Sequence, residues 1–212
     1  MLIVLEGIDG SGKSTQAAAL HRRLRAEGVS ASLTQEPTSG PIGQLIRRCL
    51  TGDVELDERS LTLLYAADRL DHLTSENGML RDLEAEKVVV CDRYYHSSYA
   101  YHSDTVGLDW IVAINSLAVS LAQADVTILL DVSPAVAIDR LGTSRGRAER
   151  YEHIGKLERV RTVYLSTFTK LPPGSGHLVD ANADVETISE KIWAIVASAL
   201  STGAAPGRSQ AP

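Results

Sequence analysis

The chain has 212 residues, 44% of them hydrophobic and 23% charged, which suits one soluble domain with a full core. A formal net charge of −6 argues against a nucleic acid polymer, whose binding demands a basic face, but not against a small anion, which needs only a local cluster of cations. No run approaches the ~18 apolar residues of a membrane span. Glu6 ends the first apolar run and no basic segment leads it, so neither a signal peptide nor a membrane partner is expected, and the expected location is cytoplasmic.

Leu2-Ile3-Val4-Leu5 reads as a buried parallel strand. The next segment, Gly7-Ile8-Asp9-Gly10-Ser11-Gly12-Lys13-Ser14, matches the phosphate-loop pattern G-x-x-x-x-G-K-[ST] without a mismatch. Glycines let successive N–H groups converge on an anion, and the positive end of the following helix adds to them. Lys13 would reach the outer phosphates, and Ser14 would offer its hydroxyl to Mg²⁺. A helix is expected over 17–24.

Farther on, 31–34 reads as a second strand ending in Gln35-Glu36-Pro37. Pro41 opens an amphipathic helix carrying Ile42, Leu45, Ile46, Cys49 and Leu50, stopped by Gly52. A helix over 57–75 should carry Leu61, Leu64, Tyr65 and Asp68 near one stripe. Val88-Val89-Val90-Cys91 is a third strand ending on Asp92, 108–123 a long helix, and 126–130 a strand ending on Asp131. Pro134 opens a helix that fades at Gly142, and an arginine-rich loop follows to Arg150. A polar helix over 152–170, a short strand over 177–179 ending on Asp180, and a helix over 185–200 complete the pattern.

Strands alternating with helices predict an α/β fold, a parallel five-stranded sheet with helices on both faces. Residues 1–200 are read as one P-loop domain with a lid at about 142–151, and 201–212, rich in Gly, Ala, Pro and Ser, as a disordered tail. Cys49 and Cys91 have no metal-ligand spacing and read as buried free thiols of a reducing compartment.

Ligands of open parallel sheets bind beyond the carboxyl ends of the strands. The residues at those ends are the phosphate loop, Glu36, Asp92-Arg93 and Asp180-Ala181. Asp92 is a candidate to hold Mg²⁺ through water, and the fork of Arg93 suits a phosphate monoester. Arg145, Arg147 and Arg150 crowd one loop, as a lid closing over phosphates would require.

Several motifs in order resemble the thymidylate kinase family over 1–200: Leu5-Glu6-Gly7 through Ser14-Thr15, Glu36-Pro37-Thr38, Leu63-Leu64-Tyr65-Ala66-Ala67-Asp68-Arg69, Asp92-Arg93-Tyr94, Ser97-Ser98-Tyr99-Ala100-Tyr101, and Arg145-Gly146 with Glu149-Arg150-Tyr151-Glu152. The resemblance implies a P-loop NTPase fold and transfer of the γ-phosphoryl of ATP to dTMP with Mg²⁺. It implies that Gly7, Ile8, Asp9, Gly10, Ser11, Gly12, Lys13, Ser14 and Thr15 bind ATP, with Asp180 and Ala181 at the same nucleotide. Asp9, Glu36, Pro37, Tyr65, Arg69, Arg93, Ser97, Ser98 and Tyr101 would bind dTMP. Among these Tyr65 stacks on thymine, Arg69 meets a thymine carbonyl, Arg93 holds the monophosphate, and Tyr101 crowds the 2′ position. Asp9, Lys13, Arg93, Arg145, Arg147 and Arg150 would be catalytic, Ser14 and Asp92 would hold the metal, and a homodimer is implied.

Gly10 stands where some members carry an arginine, so the transferring group's cation is expected from the lid. Gln35, His102, Ala124 and Glu149 depart from common family residues, the first two on the acceptor side. An alternative is another nucleoside or nucleoside monophosphate kinase of this fold, in which Glu36 would serve as base for a 5′-hydroxyl. A regulatory NTPase switch is disfavoured by the lack of D-x-x-G and N-K-x-D elements at fitting positions. A module that binds nucleotide without catalysis is hard to square with Lys13, Ser14 and the lid.

Overall fold

The computed structural model describes residues 1–142 and 147–202, without the side chains of 147–152. The elements follow in the order β1 (Leu2–Glu6), α1 (Lys13–Ala26), β2 (Ala31–Gln35), α2 (Pro41–Leu50), α3 (Glu58–Thr74), α4 (Met79–Glu84) and β3 (Val88–Asp92). The second half continues with α5 (Tyr95–Val106), α6 (Leu108–Leu121), β4 (Val126–Asp131), α7 (Pro134–Leu141), α8 (Arg147–Phe168), β5 (Gly176–Asp180) and α9 (Val185–Ser201).

The five strands form one sheet in the order β2-β3-β1-β4-β5, every neighbour pair parallel. Side chains alternate across a strand, so β1 divides itself between two cores. Ile3 and Leu5 join Leu20, Leu24, Val160, Ile188 and Ile192 beneath α1, α8 and α9. Leu2 and Val4 join Leu73, Met79, Val89 and Ile111 beneath α3, α4 and α6. Coverage on both faces explains why β1 and β3 read as unbroken apolar runs. Parallel register aligns Leu5 with Asp92, Gln35 with Asp92 and Asp131 with Asp180, which brings the strand ends to one rim.

Some expectations change. The helix expected from 152 begins at Arg147, so Arg147 and Arg150 stand on its first turns rather than in a loop. Residues 143–146 of the expected lid, Arg145 among them, and residues 203–212 of the tail lie outside the described residues, as do the side chains of 147–152. The buried stripe of α3 is Thr62, Ala66, Asp68, Arg69, His72 and Leu73, while Leu61, Leu64 and Tyr65 are only partly covered. That helix turns polar groups inward because the site, rather than apolar packing, occupies its inner face. Cys91 is buried as expected, but Cys49 is only partly covered. Among the described residues, no helix is long and apolar enough to cross a membrane.

Candidate active site

Between β1 and α1 the phosphate loop is shaped by close approaches that admit only glycine at two positions. A Cβ on Gly7 would lie 2.7 Å from Ser11 Oγ and 2.8 Å from the Leu130 carbonyl oxygen. On Gly10, at φ +81°, it would run into the backbone of Ala137. The packing of α7 against the loop is thus the local reason that no side chain stands at position 10. Ser11 N–H donates to Ile8 O at 3.1 Å, and Gly12 precedes α1 in the left-handed region.

Lys13 is buried and folds back on this loop, its Nζ donating to Ile8 O at 2.8 Å and lying 3.4 Å from Ser11 Oγ. Burial, then the nearby charge of Arg93, pushes its pKa down to about 7 against the pull of Asp9, Asp92 and Glu6. An arriving phosphate would restore full charge to it. Ser14 and Thr15 face solvent at the helix start.

Ser14 Oγ donates to Asp92 Oδ2 at 2.5 Å, while Asp92 Oδ1 is buried with no partner among the described residues. A hydroxyl, a carboxylate oxygen and an orphaned buried acceptor are the hard oxygen donors that Mg²⁺ takes, with phosphate oxygens and water completing its shell. The residues therefore fit the ion. Among the described residues no group of three or more His, Cys, Asp or Glu converges as a self-sufficient metal cage.

Asp9 links the loop to Arg93. Its backbone N–H donates to Tyr101 Oη at 3.0 Å and its carboxylate pairs with Arg93 Nη2. Burial pushes the Asp9 carboxyl up, but Arg93 and Lys13 together outweigh it and hold the group below its ordinary value. Arg93 adopts φ +71°, stands 5.3 Å from the Tyr101 ring centroid and donates to Ser97 Oγ at 3.2 Å. An uncommon backbone conformation in a bulky residue at a strand end marks a place where position outweighs propensity.

Beyond Arg93 a second pocket wall forms between α3 and α5. Arg69 is buried; its Nε and Nη2 reach Glu36 Oε2 at 2.8 and 2.6 Å, and its Nη1 donates to Ser98 Oγ at 3.2 Å and to Asn115 Oδ1. A guanidinium has five N–H groups, so these contacts leave one Nη2 hydrogen for a ligand. The other Glu36 oxygen lies 3.2 Å from His72 Nδ1, and His72 Nε2 lies 2.6 Å from Thr34 Oγ1. Tyr65, one helical turn before Arg69, keeps its hydroxyl neutral, burial having pushed its pKa up to about 12.

The turn carrying Glu36, Pro37 and Thr38 is held from two sides. Asp68 accepts from Thr38 N at 2.8 Å and Thr38 Oγ1 at 2.6 Å, and Arg47 donates to Pro37 O at 2.6 Å and to Thr38 O. Glu6, fully buried in β1, accepts from Tyr94 N, Ser97 N, Ser97 Oγ and Tyr164 Oη at 2.7–3.2 Å. Burial still pushes its carboxyl up. Through it the start of α5 and the C-terminal turns of α8 are tied to the sheet. Arg161 of α8 adds a bidentate pair with Asp131 at 2.5 and 2.8 Å.

Of the residues singled out in the sequence, Asp9, Lys13, Ser14, Glu36, Asp92 and Arg93 gather at the strand ends, Tyr65, Arg69 and Ser98 stand between α3 and α5, and the side chains of Arg147 and Arg150 lie outside the described residues. Ala181 is buried with its N–H spent on Asp131 O at 2.8 Å, and exposed Asp180 turns its carboxylate to Asn182 at 2.7–3.0 Å. Neither residue offers a free side chain to the rim. Glu6, Arg47, Asp68, His72, Asn115, Arg161 and Tyr164 were missed as parts of the site. For Glu6 and Asp68 the signal available was a carboxylate amid apolar or small residues.

The family model described as thymidylate kinase matches residues 5–192. A protein of Thermococcus kodakarensis named as a probable thymidylate kinase is 38% identical over 210 residues, covering 94% of this chain and 98% of the relative. Similar proteins with the same name in Pyrococcus horikoshii and Methanococcus aeolicus are 37% and 38% identical, over 92% and 89% of this chain and 94% and 90% of theirs. With a phosphate loop and a buried arginine slot on one rim, and a family match spanning nearly all of the sheet, the chain belongs to the thymidylate kinase family.

Proposed function

We propose that the enzyme transfers the γ-phosphoryl of ATP to dTMP, giving dTDP and ADP. The observation that carries this reading is Asp9, which is part of the phosphate loop by its backbone and is paired with Arg93 by its carboxylate. Donor and acceptor phosphates would meet on either side of that residue.

In this reading the loop N–H groups and Lys13 hold the β- and γ-phosphates, and Asp180 and Ala181 flank the nucleotide. Arg93 with Ser97 holds the monophosphate of dTMP. An oxygen of that monoester attacks the γ-phosphorus while the bond to the β-phosphate oxygen breaks. The attacking oxygen is already anionic near neutral pH, so no general base is needed and positioning carries the reaction. Ser14 and Asp92 would hold Mg²⁺, which when bound neutralises charge on the phosphate oxygens. Arg145, Arg147 and Arg150 would close over the transferring group. Tyr65, Arg69 and Ser98 receive the base, Glu36 and Pro37 shape the wall behind it, and Tyr101 lies against the sugar.

A nucleoside acceptor is disfavoured by a specific feature. Glu36, the carboxylate that would deprotonate a 5′-hydroxyl, has one oxygen on Arg69 and the other against His72. The reading also includes a homodimer, for which exposed Leu63 and Leu117 on the outer faces of α3 and α6 offer an apolar surface. Chromatography of products from ATP, Mg²⁺ and dTMP tests the reaction. We expect dTDP and ADP in equal amounts; ADP without dTDP would make the protein an NTPase instead.

A further inference from the structure

Helix α5 opens on Tyr94, directly after the left-handed Arg93, and the Tyr94 side chain makes no capping hydrogen bond. The cap comes from β1 instead. Glu6 Oε1 accepts the N–H of Tyr94 at 2.8 Å and that of Ser97 at 3.2 Å. These are the two N–H groups that a capping box satisfies from within a helix, here met by one carboxylate 88 and 91 positions away. Glu6 Oε2 accepts the hydroxyls of Ser97 at 2.7 Å and Tyr164 at 3.0 Å. Four donors on two oxygens fill the acceptor sites of an ionised carboxylate. With its hydrogen spent on Glu6, the Ser97 oxygen keeps lone pairs to give, and Arg93 Nη1 donates to it at 3.2 Å. Arg93 Nη2 is paired with Asp9 on the other side of the fork.

We propose that Glu6 is a positioning residue for the acceptor phosphate: it holds Ser97 with its oxygen open to Arg93, and so fixes the guanidinium between Ser97 and Asp9. Glu6 is fully buried in β1 and acts through Ser97 rather than on a ligand. An amide at position 6 would reverse the polarity of this contact. Its oxygen could still accept both backbone N–H groups, but its NH2 would then face the hydroxyls of Ser97 and Tyr164 as a donor. The amide N–H and the Tyr164 O–H would compete with Arg93 for the lone pairs of Ser97. The inference rests on the reading in which Arg93 holds the monophosphate of the acceptor.

The test is KM for dTMP and KM for ATP, each at saturating partner, with the melting transition of each variant as a check on folding. We expect Glu6→Gln to raise KM for dTMP about tenfold and to leave KM for ATP within about twofold of wild type. Ser97→Ala should raise KM for dTMP similarly. Because Glu6 acts through Ser97, the double variant Glu6→Gln/Ser97→Ala should be no worse than Ser97→Ala alone. Should Glu6→Gln not fold, Ser97→Ala carries the test. A KM for dTMP unchanged in a folded Glu6→Gln or in Ser97→Ala, equal rises for dTMP and ATP, or rises that multiply in the double variant overturn the inference while leaving the kinase reading intact. A wild type that turns over no dTMP overturns both.

Discussion

Tyr101 Oη accepts the backbone N–H of Asp9 at 3.0 Å, tying an aromatic ring of α5 to the phosphate loop across 92 positions of sequence. The same ring lies 5.3 Å from the Arg93 guanidinium and edge-on to Tyr164. The residue proposed to lie against the acceptor sugar thus also braces the phosphate loop. Its two roles separate by substitution. Tyr101→Phe should keep the preference for deoxyribose and lower kcat by the ~0.5–1.5 kcal/mol of one hydrogen bond, or about 2–13-fold. Tyr101→Ala should also raise the relative kcat/KM of ribothymidine monophosphate. An unchanged ratio of the two acceptors in Tyr101→Ala would remove the ring from the sugar site.

Lys13→Ala should fold and lose most turnover. The side chain is buried against Ile8 O and Ser11 Oγ without an acidic partner in hydrogen-bond contact among the described residues, so its removal strands none of their carboxylates. Contacts made to developing charge in a dry site exceed the ~1.5–3 kcal/mol of an ordinary charged hydrogen bond. ADP release within threefold of wild type would contradict the role given to this lysine.

How much of this was open to reading in the chain follows from how local each feature is. The phosphate loop is contiguous and its chemistry demands a fixed spacing, so eight neighbouring residues announced it. Glu6 and Tyr164 meet across 158 positions and Arg69 and Asn115 across 46, and nothing in one segment reports the other. Helix α5 shows little periodicity because it packs against α3, α6 and α8, so most of its faces are covered. The six residues of α4 are too few for a pattern to emerge. On α3 the expected stripe included Asp68, which is buried, but Leu61, Leu64 and Tyr65 are only partly covered because the inward face carries Arg69 and His72 instead.

Arg145, Arg147 and Arg150 are expected to act in the closed, phosphoryl-transferring state rather than in first binding of ATP. Single alanine changes should therefore lower kcat more than they weaken ATP affinity. Steady-state kinetics paired with a direct ATP-binding measurement separates the two. Normal turnover in all three variants would reduce the cluster to a solvated surface.

His96 gives a pH signature in stability. It is buried among Tyr95, Tyr99 and Phe168, its Nδ1 has no partner among the described residues, and burial, then the charge of Arg69, pushes its pKa down to about 3. The unfolded chain takes up that proton near the ordinary imidazole value of 6.5 and the folded one does not, so stability is full above 6.5 and falls as pH drops toward 3. At pH 5 the loss is about 2 kcal/mol relative to neutral pH. Urea unfolding of His96→Leu at pH 7 and pH 5 should show that decrement missing; an equal decrement in both proteins would contradict a neutral buried ring.

The most direct measurement is coupled ADP release at fixed ATP and Mg²⁺ across dTMP, dUMP, dCMP, thymidine and no acceptor. We expect dTMP to be turned over best, with dUMP behind it by the ~1–3 kcal/mol of one methyl group, or about 10–200-fold. We expect dCMP far lower, and thymidine no better than the blank. Thymidine phosphorylated as fast as dTMP, or ADP released equally without any acceptor, would contradict a monophosphate held by Arg93 beside the phosphate loop.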